Sequence, residues 1–123
     1  MFHVKYLLKT SPIHRIGLFA AEDICAGALI YTQNLKLDLL LSEEEFTALV
    51  DEEKRVVKHY GFFDMNVGKW HLSHDDIRYC NHSPDGTMTL RGTDLVAKRD
   101  ISSGEELTQD YREFEELRTL EEK

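Results

Sequence analysis

Hydrophobic and polar positions change their period several times along this 123-residue chain. The opening Phe2-His3-Val4-Lys5-Tyr6-Leu7-Leu8 alternates at first and is rich in aromatic and branched side chains, which predicts a strand. Thr10-Ser11-Pro12 ends it, since proline offers no N–H to a ladder. Two short apolar runs follow, Ile16 to Ala21 and Ala28 to Tyr31, around a polar turn containing Gly27; two strands and a loop are expected. From Ser42 the period lengthens. Ser42 and Glu45 form a capping box, and Phe46, Leu49, Val50, Val56, Val57 and Tyr60 share one helical face, so one long helix is predicted over about 42–61, closed by Gly61. The Phe62-Phe63 pair is expected to plug the core beside its last turn.

After Trp70 the apolar segments are short, Ile77 to Cys80, Thr87 to Leu90 and Leu95 to Ala97, and are separated by Asn, Asp, Pro and Gly. The phrase Ala97-Lys98-Arg99-Asp100-Ile101-Ser102-Ser103-Gly104 echoes Ala20-Ala21-Glu22-Asp23-Ile24-Cys25-Ala26-Gly27 at equal internal spacing. Two similar turns, each with glycine at a positive φ, explain the echo more simply than a structural repeat. In the tail, residues 112–123, Phe114, Leu117 and Leu120 or Glu121 define a weak helical stripe. Many short strands with one or two helices describe a mostly β, α+β domain of small sheets, without the β-α alternation of a Rossmann fold.

Length predicts a single domain over 1–123, large enough for a real core. A content of 41% hydrophobic and 31% charged residues is that of a soluble globular protein. No apolar run approaches the ~20 residues needed to cross a bilayer, and the N-terminus lacks a signal-peptide pattern, so an intracellular protein away from membranes is expected. A net charge of −8 argues against nucleic-acid binding and suits a basic partner, although acidity also serves plain solubility. Cys25 and Cys80 show no paired spacing; both are expected to be small buried hydrophobes. His71 and His74 stand three apart, but no third and fourth ligand is marked out, and no metal is expected.

Three segments carry the candidate chemistry: Ser11-Pro12-Ile13-His14-Arg15-Ile16-Gly17-Leu18-Phe19-Ala20, then Arg78-Tyr79-Cys80-Asn81-His82-Ser83, then Gly104-Glu105-Glu106-Leu107-Thr108-Gln109-Asp110-Tyr111. In order and spacing the chain resembles the SET-domain family of protein-lysine methyltransferases, and the resemblance runs its whole length. It implies a β-clip of small sheets with a C-terminal pseudoknot that brings the second and third motifs together. It also implies S-adenosyl-L-methionine as cofactor and a lysine of a basic protein or peptide as substrate.

By that resemblance Tyr111 is the catalytic residue. Arg15, Ile16, Gly17, Arg78, Asn81, His82 and Tyr111 lie at cofactor-binding positions, and Phe114 is the candidate for covering the adenine. Arg78 and Ser83 also suit a purely bracing role in their turn, and Met65, Trp70 and Tyr31 either line a lysine channel or serve as plain core. Several positions depart from the family pattern: Arg15 stands where glycine is common, Arg112 follows Tyr111 where glycine is frequent, and Gln109 replaces a frequent aromatic. No cysteine follows Cys80 in this sequence, so no counterpart of the zinc segment of many relatives is expected. The alternative reading is an inactive SET-like module that binds cofactor or a basic partner. Glu105, Glu106, Asp110, Glu113, Glu115 and Glu116 form an acidic stretch able to attract lysine, or simply a solvated face. Substrate, methylation state and oligomeric state stay open.

Overall fold

The computed structural model describes residues 1–115. Its strands are β1 (Tyr6–Thr10), β2 (Ile16–Ala20), β3 (Leu29–Thr32), β4 (Leu39–Leu41), β5 (Phe62–Asp64), β6 (Lys69–Leu72), β7 (Asn81–His82), β8 (Met88–Arg91), β9 (Asp94–Ala97) and β10 (Glu106–Gln109). The helices are α1 (Glu43–Thr47) and α2 (Asp51–Tyr60). The described residues divide into two compact units, one from 1–33 with 79–113 and one from 34–78 with 114 and 115.

In the first unit the strands run in the order β1-β2-β10-β8-β9-β3, with β7 paired to β10. Strand β2 lies between two neighbours and is buried from Gly17 to Ala20, as its unbroken apolar run requires. Leu18, Ile30, Met88, Ile101 and Leu107 are its most deeply buried large side chains. The decisive pairing is parallel: Thr108 and Gln109 of β10 sit opposite Asn81 and His82 of β7. Parallel neighbours cannot come from a tight hairpin, so the long segment between them places the second and third motifs side by side.

The two echoing turns also pair with each other. Ile24 and Ile101 exchange backbone hydrogen bonds of 2.8 Å, Gly27 N–H donates to Ala97 O and Gly104 N–H to Ala20 O. Asp23 and Asp100 each accept a backbone N–H from the opposite turn. Gly27 and Gly104 have φ of 82° and 96°, the left-handed conformation expected of glycine there. The echo is therefore a reciprocal pair, which the simpler account of two independent turns did not include.

The second unit holds the sheet β4-β6-β5 and both helices. The single helix expected over 42–61 is two. The Ser42–Glu45 capping box forms as predicted, with bonds of 2.9 and 3.1 Å. A second N-terminus then forms at Val50, whose N–H reaches the Glu53 carboxylate at 3.0 Å. Asp51-Glu52-Glu53 favours that start, because carboxylates in a first turn complement the helix dipole. Breaking the helix rotates its apolar face. Phe46 and Val57 are buried with Phe63 and Trp70, and Leu49 packs beside them, but Val50, Val56 and Tyr60 are exposed. Phe46 stacks on Trp70 at 4.1 Å between ring centroids.

Three smaller expectations are also corrected. Residues Asp76–Tyr79 form a 3-10 turn rather than a strand, closed by Asp75, whose carbonyl and carboxylate accept the N–H groups of Arg78 and Ile77. Cys25 is exposed, and only Cys80 is buried. The first strand starts at Tyr6, while Phe2 forms an isolated bridge to Tyr31. Leu117, Leu120 and Glu121 of the expected tail helix lie outside the described residues, and Tyr111–Glu113 is a single 3-10 turn.

Candidate active site

The site in the first unit is built where β2, β7 and β10 meet. Asn81 is buried, and its Nδ2 donates to His14 O at 3.2 Å, Ile16 O at 3.3 Å and Glu106 Oε2 at 2.9 Å. Ser11 Oγ donates to the same carboxylate at 2.8 and 3.0 Å and accepts the Ile13 N–H at 3.0 Å. Residues from all three motifs thus form one polar network. Gly17 leaves room for it: a Cβ there would lie 2.4 Å from Glu106 Oε2 and 2.9 Å from Asn81 Nδ2, so these side-chain ends would have to shift.

Two residues past β10, the Tyr111 N–H donates to His82 Nδ1 at 3.0 Å. Accepting that hydrogen occupies the Nδ1 lone pair, so the neutral ring carries its own proton on Nε2. The two rings lie 5.1 Å apart. The Tyr111 hydroxyl donates to the Cys80 carbonyl. Its proton is thereby committed, which leaves the phenol oxygen as an acceptor. Gly86 locks the arrangement from below: a Cβ would meet Gln109 Cα at 2.9 Å, Thr108 O at 3.0 Å and Asp110 N at 3.1 Å. Ser83 braces the same turn, its N–H on Gln109 O at 3.1 Å and its Oγ accepting the Asp85 N–H.

Arg15 has φ of 39°, in the left-handed region that side chains disfavour. A glycine at this point would be free of that cost, which is a physical reason for the residue the family commonly carries there. Arg15 and Ile16 are exposed beside buried Gly17. Arg112 is exposed and holds Asp110 through Nε at 2.9 Å and Nη2 at 2.7 Å. This bond from Arg112 depresses the Asp110 carboxyl to a pKa of about 2, against a smaller upward push from desolvation.

Arg78 and Phe114 belong to the second unit. Arg78 donates to Ser73 O at 2.7 Å and lies over the Tyr60 ring at 5.2 Å, a bracing geometry. Phe114 packs edge to face on Phe62 at 4.6 Å. His71 and His74 both bond Asp38, at 2.7 and 2.6 Å. Burial pushes the Asp38 carboxyl up, yet the hydrogen bonds from His74 and then His71 outweigh it and hold it below the usual range. Among the described residues no cluster of His, Cys, Asp and Glu has metal-site geometry. No helix among them is long and apolar enough to cross a membrane.

Most of the acidic stretch is already hydrogen-bonded within the chain or buried. Glu105 accepts from Ser102 N and Arg99, Glu113 from the Thr89 hydroxyl, and Glu115 is buried; Glu116 lies outside the described residues. Ser11 and Glu106 are the participants that reading the chain did not single out as site residues. They stand 95 positions apart, and no local pattern joins them.

The SET domain model matches residues 15–112, most of the chain and all of this network except Ser11, Ile13 and His14. The chain belongs to the SET-domain family. Members of that family are methyltransferases that use S-adenosylmethionine and act on lysine-containing proteins. Solved SET-containing chains agree in fold. An apo ctPRC2 with two substitutions in Ezh2 is 27% identical, with a TM-score of 0.69 over 96% of this chain and 16% of that one. Polycomb Repressive Complex 2 of Chaetomium thermophilum bound to GSK126 is 25% identical, with a TM-score of 0.68 over 97% and 17%. ctPRC2 in an autoinhibited conformation bound to S-adenosylmethionine is 28% identical, with a TM-score of 0.66 over 97% and 17%. The chain therefore spans about a sixth of the length of these neighbours. No curated protein sequence matches it at a significant level.

Proposed function

We propose that this SET domain transfers a methyl group from S-adenosyl-L-methionine to the ε-amine of a protein lysine, with Tyr111 as the catalytic residue. The observation that carries this reading is the junction of the second and third motifs, where Tyr111 is held by its N–H on His82 and its hydroxyl on Cys80 O. The bound cofactor would supply an electrophilic methyl on a positively charged sulfur.

Every other requirement falls on the chain. A lysine with pKa ~10.4 must present a neutral nitrogen, which at pH 7 costs roughly 4–5 kcal/mol. Burial of the amine lowers that cost, and an acceptor oxygen orients its remaining N–H bonds. The Tyr111 oxygen, its own hydrogen already given away, suits that task. Arg15, Ile16, Gly17, Asn81 and His82 are assigned to the cofactor's amino-acid and nucleoside ends, and their chemistry fits: the Asn81 oxygen accepts no hydrogen bond among the described residues, and the His82 Nε2–H is a fixed donor. The substrate is a lysine-containing, basic protein segment, as the acidic net charge favours.

Incubation with labelled S-adenosylmethionine and lysine-rich proteins tests the proposal. Transfer by the wild type, abolished in Tyr111→Phe and Asn81→Ala, is expected. Cofactor binding without transfer to any protein pool would replace it by the inactive module, for which the strained Arg15 backbone is the motivating feature.

A further inference from the structure

We propose that Glu106 is a positioning residue that orients and polarises the Asn81 carboxamide, so that its oxygen is presented to the ammonium group of the ligand's amino-acid end. This rests on the cofactor assignment above and adds a residue and a division of labour to it. An asparagine amide is nearly symmetric in shape, so either end could face inward; its surroundings decide. Here Nδ2 meets three oxygens, His14 O, Ile16 O and Glu106 Oε2. The inverted amide would set a carbonyl oxygen against all three. The carboxylate, as the charged and closest of them, contributes most to that preference.

Glu106 itself is held from its other side by the Ser11 hydroxyl, and no Lys or Arg among the described residues pairs with it. A neutral acceptor would serve a purely architectural link between β2, β7 and β10 equally well. An unbalanced carboxylate behind the amide does more, because hydrogen bonds in series polarise one another and make the exposed oxygen a better acceptor for a cation. Gly17 gives this pair room beside β2, since a Cβ there would lie 2.4 Å from Glu106 Oε2 and 2.9 Å from Asn81 Nδ2 and push both side-chain ends aside.

Calorimetry of the full chain with two probes separates this role from an architectural one. S-adenosylhomocysteine carries the amino-acid end, and 5′-methylthioadenosine keeps the nucleoside and thioether without it. Glu106→Gln, which preserves shape and removes charge, is expected to weaken the first roughly tenfold, the scale of a charge-assisted hydrogen bond, and to leave the second unchanged. Glu106→Gln combined with Asn81→Ala is expected to be no worse than Asn81→Ala alone. Ser11→Ala loosens the carboxylate without removing it and is expected to show the same ligand selectivity at smaller amplitude, which keeps the test open should the Gln variant fold poorly. Wild-type affinity of Glu106→Gln for both probes, equal losses for both probes, or additive losses in the double variant would each overturn the inference. A wild type that binds neither probe refutes the cofactor assignment itself and this inference with it.

Discussion

Gly86→Ala provides a sharp test of how the two motifs are held together. The added Cβ would stand 2.9 Å from Gln109 Cα, 3.0 Å from Thr108 O and 3.1 Å from Asp110 N. Carbon atoms rest at about 3.5–4.0 Å, so the approach to Gln109 alone demands a shift of roughly half an ångström or more. All three obstacles are backbone of β10 and the residue after it, which cannot rotate away as a side-chain tip can. Gly86 has no positive φ, so the cost is steric and not conformational. Overpacking of this kind costs about 1–3 kcal/mol. For a chain of this length that lowers Tm by roughly 3–12 °C. The strain falls directly before Tyr111, whose N–H must stay on His82, so methyl transfer should decline further than the lost stability explains. Thermal unfolding and the labelled-cofactor assay measure the two effects. Gly68→Ala is the control: a Cβ there meets nothing, and only its φ of 70° is strained. Equal activity losses in both variants at matched Tm, or no loss of either kind in Gly86→Ala, would refute the steric argument.

Tyr111→Phe should reduce methyl transfer by roughly 10²–10³-fold, the scale seen when one oriented polar group is removed, while costing only about 1 kcal/mol in stability for the bond to Cys80 O; single-turnover rates and urea unfolding separate the two. Arg15→Gly should leave stability unchanged or raise it by up to about 1 kcal/mol, whereas Arg15→Val should lower it by about 1–2 kcal/mol, because φ of 39° suits only glycine without strain; urea unfolding decides the sign. Asp38→Asn should destabilise the chain by about 1–3 kcal/mol at pH 7 by leaving buried His71 poorly partnered. Because the Asp38 carboxyl is depressed, its stabilisation is complete above the ordinary carboxylate range and is lost as pH falls below it. The difference between wild type and variant should therefore narrow below about pH 4, as unfolding curves at several pH values would show.

Local rules were enough for much of this protein. The capping box at Ser42, the positive φ at Gly27 and Gly104, the strands from Ile16 and Leu29, and the mostly β class all follow from residues within a turn or two of each other. The family, too, was legible in three short motifs, because each has a fixed internal spacing that folding does not alter. The helix break at Val50 was readable only in part. Three acids in a row marked a new N-terminus, but the apolar period continued through it, and tertiary packing of Phe46 and Val57 around Trp70 chose between them.

What the sequence could not decide is which distant groups share a hydrogen bond. Ser11 reaches Glu106 across 95 residues and Asn81 reaches His14 across 67, and neither partner differs locally from an ordinary loop serine or a surface glutamate. The parallel register of β7 against β10 is likewise a long-range choice, since slipping it by one residue would turn Asn81 and Thr108 to opposite faces. Side-chain identity along the chain set the chemistry available, and the parallel pairing set which of those groups meet, because a hydrogen bond depends on distances of a few ångströms that only the folded backbone defines.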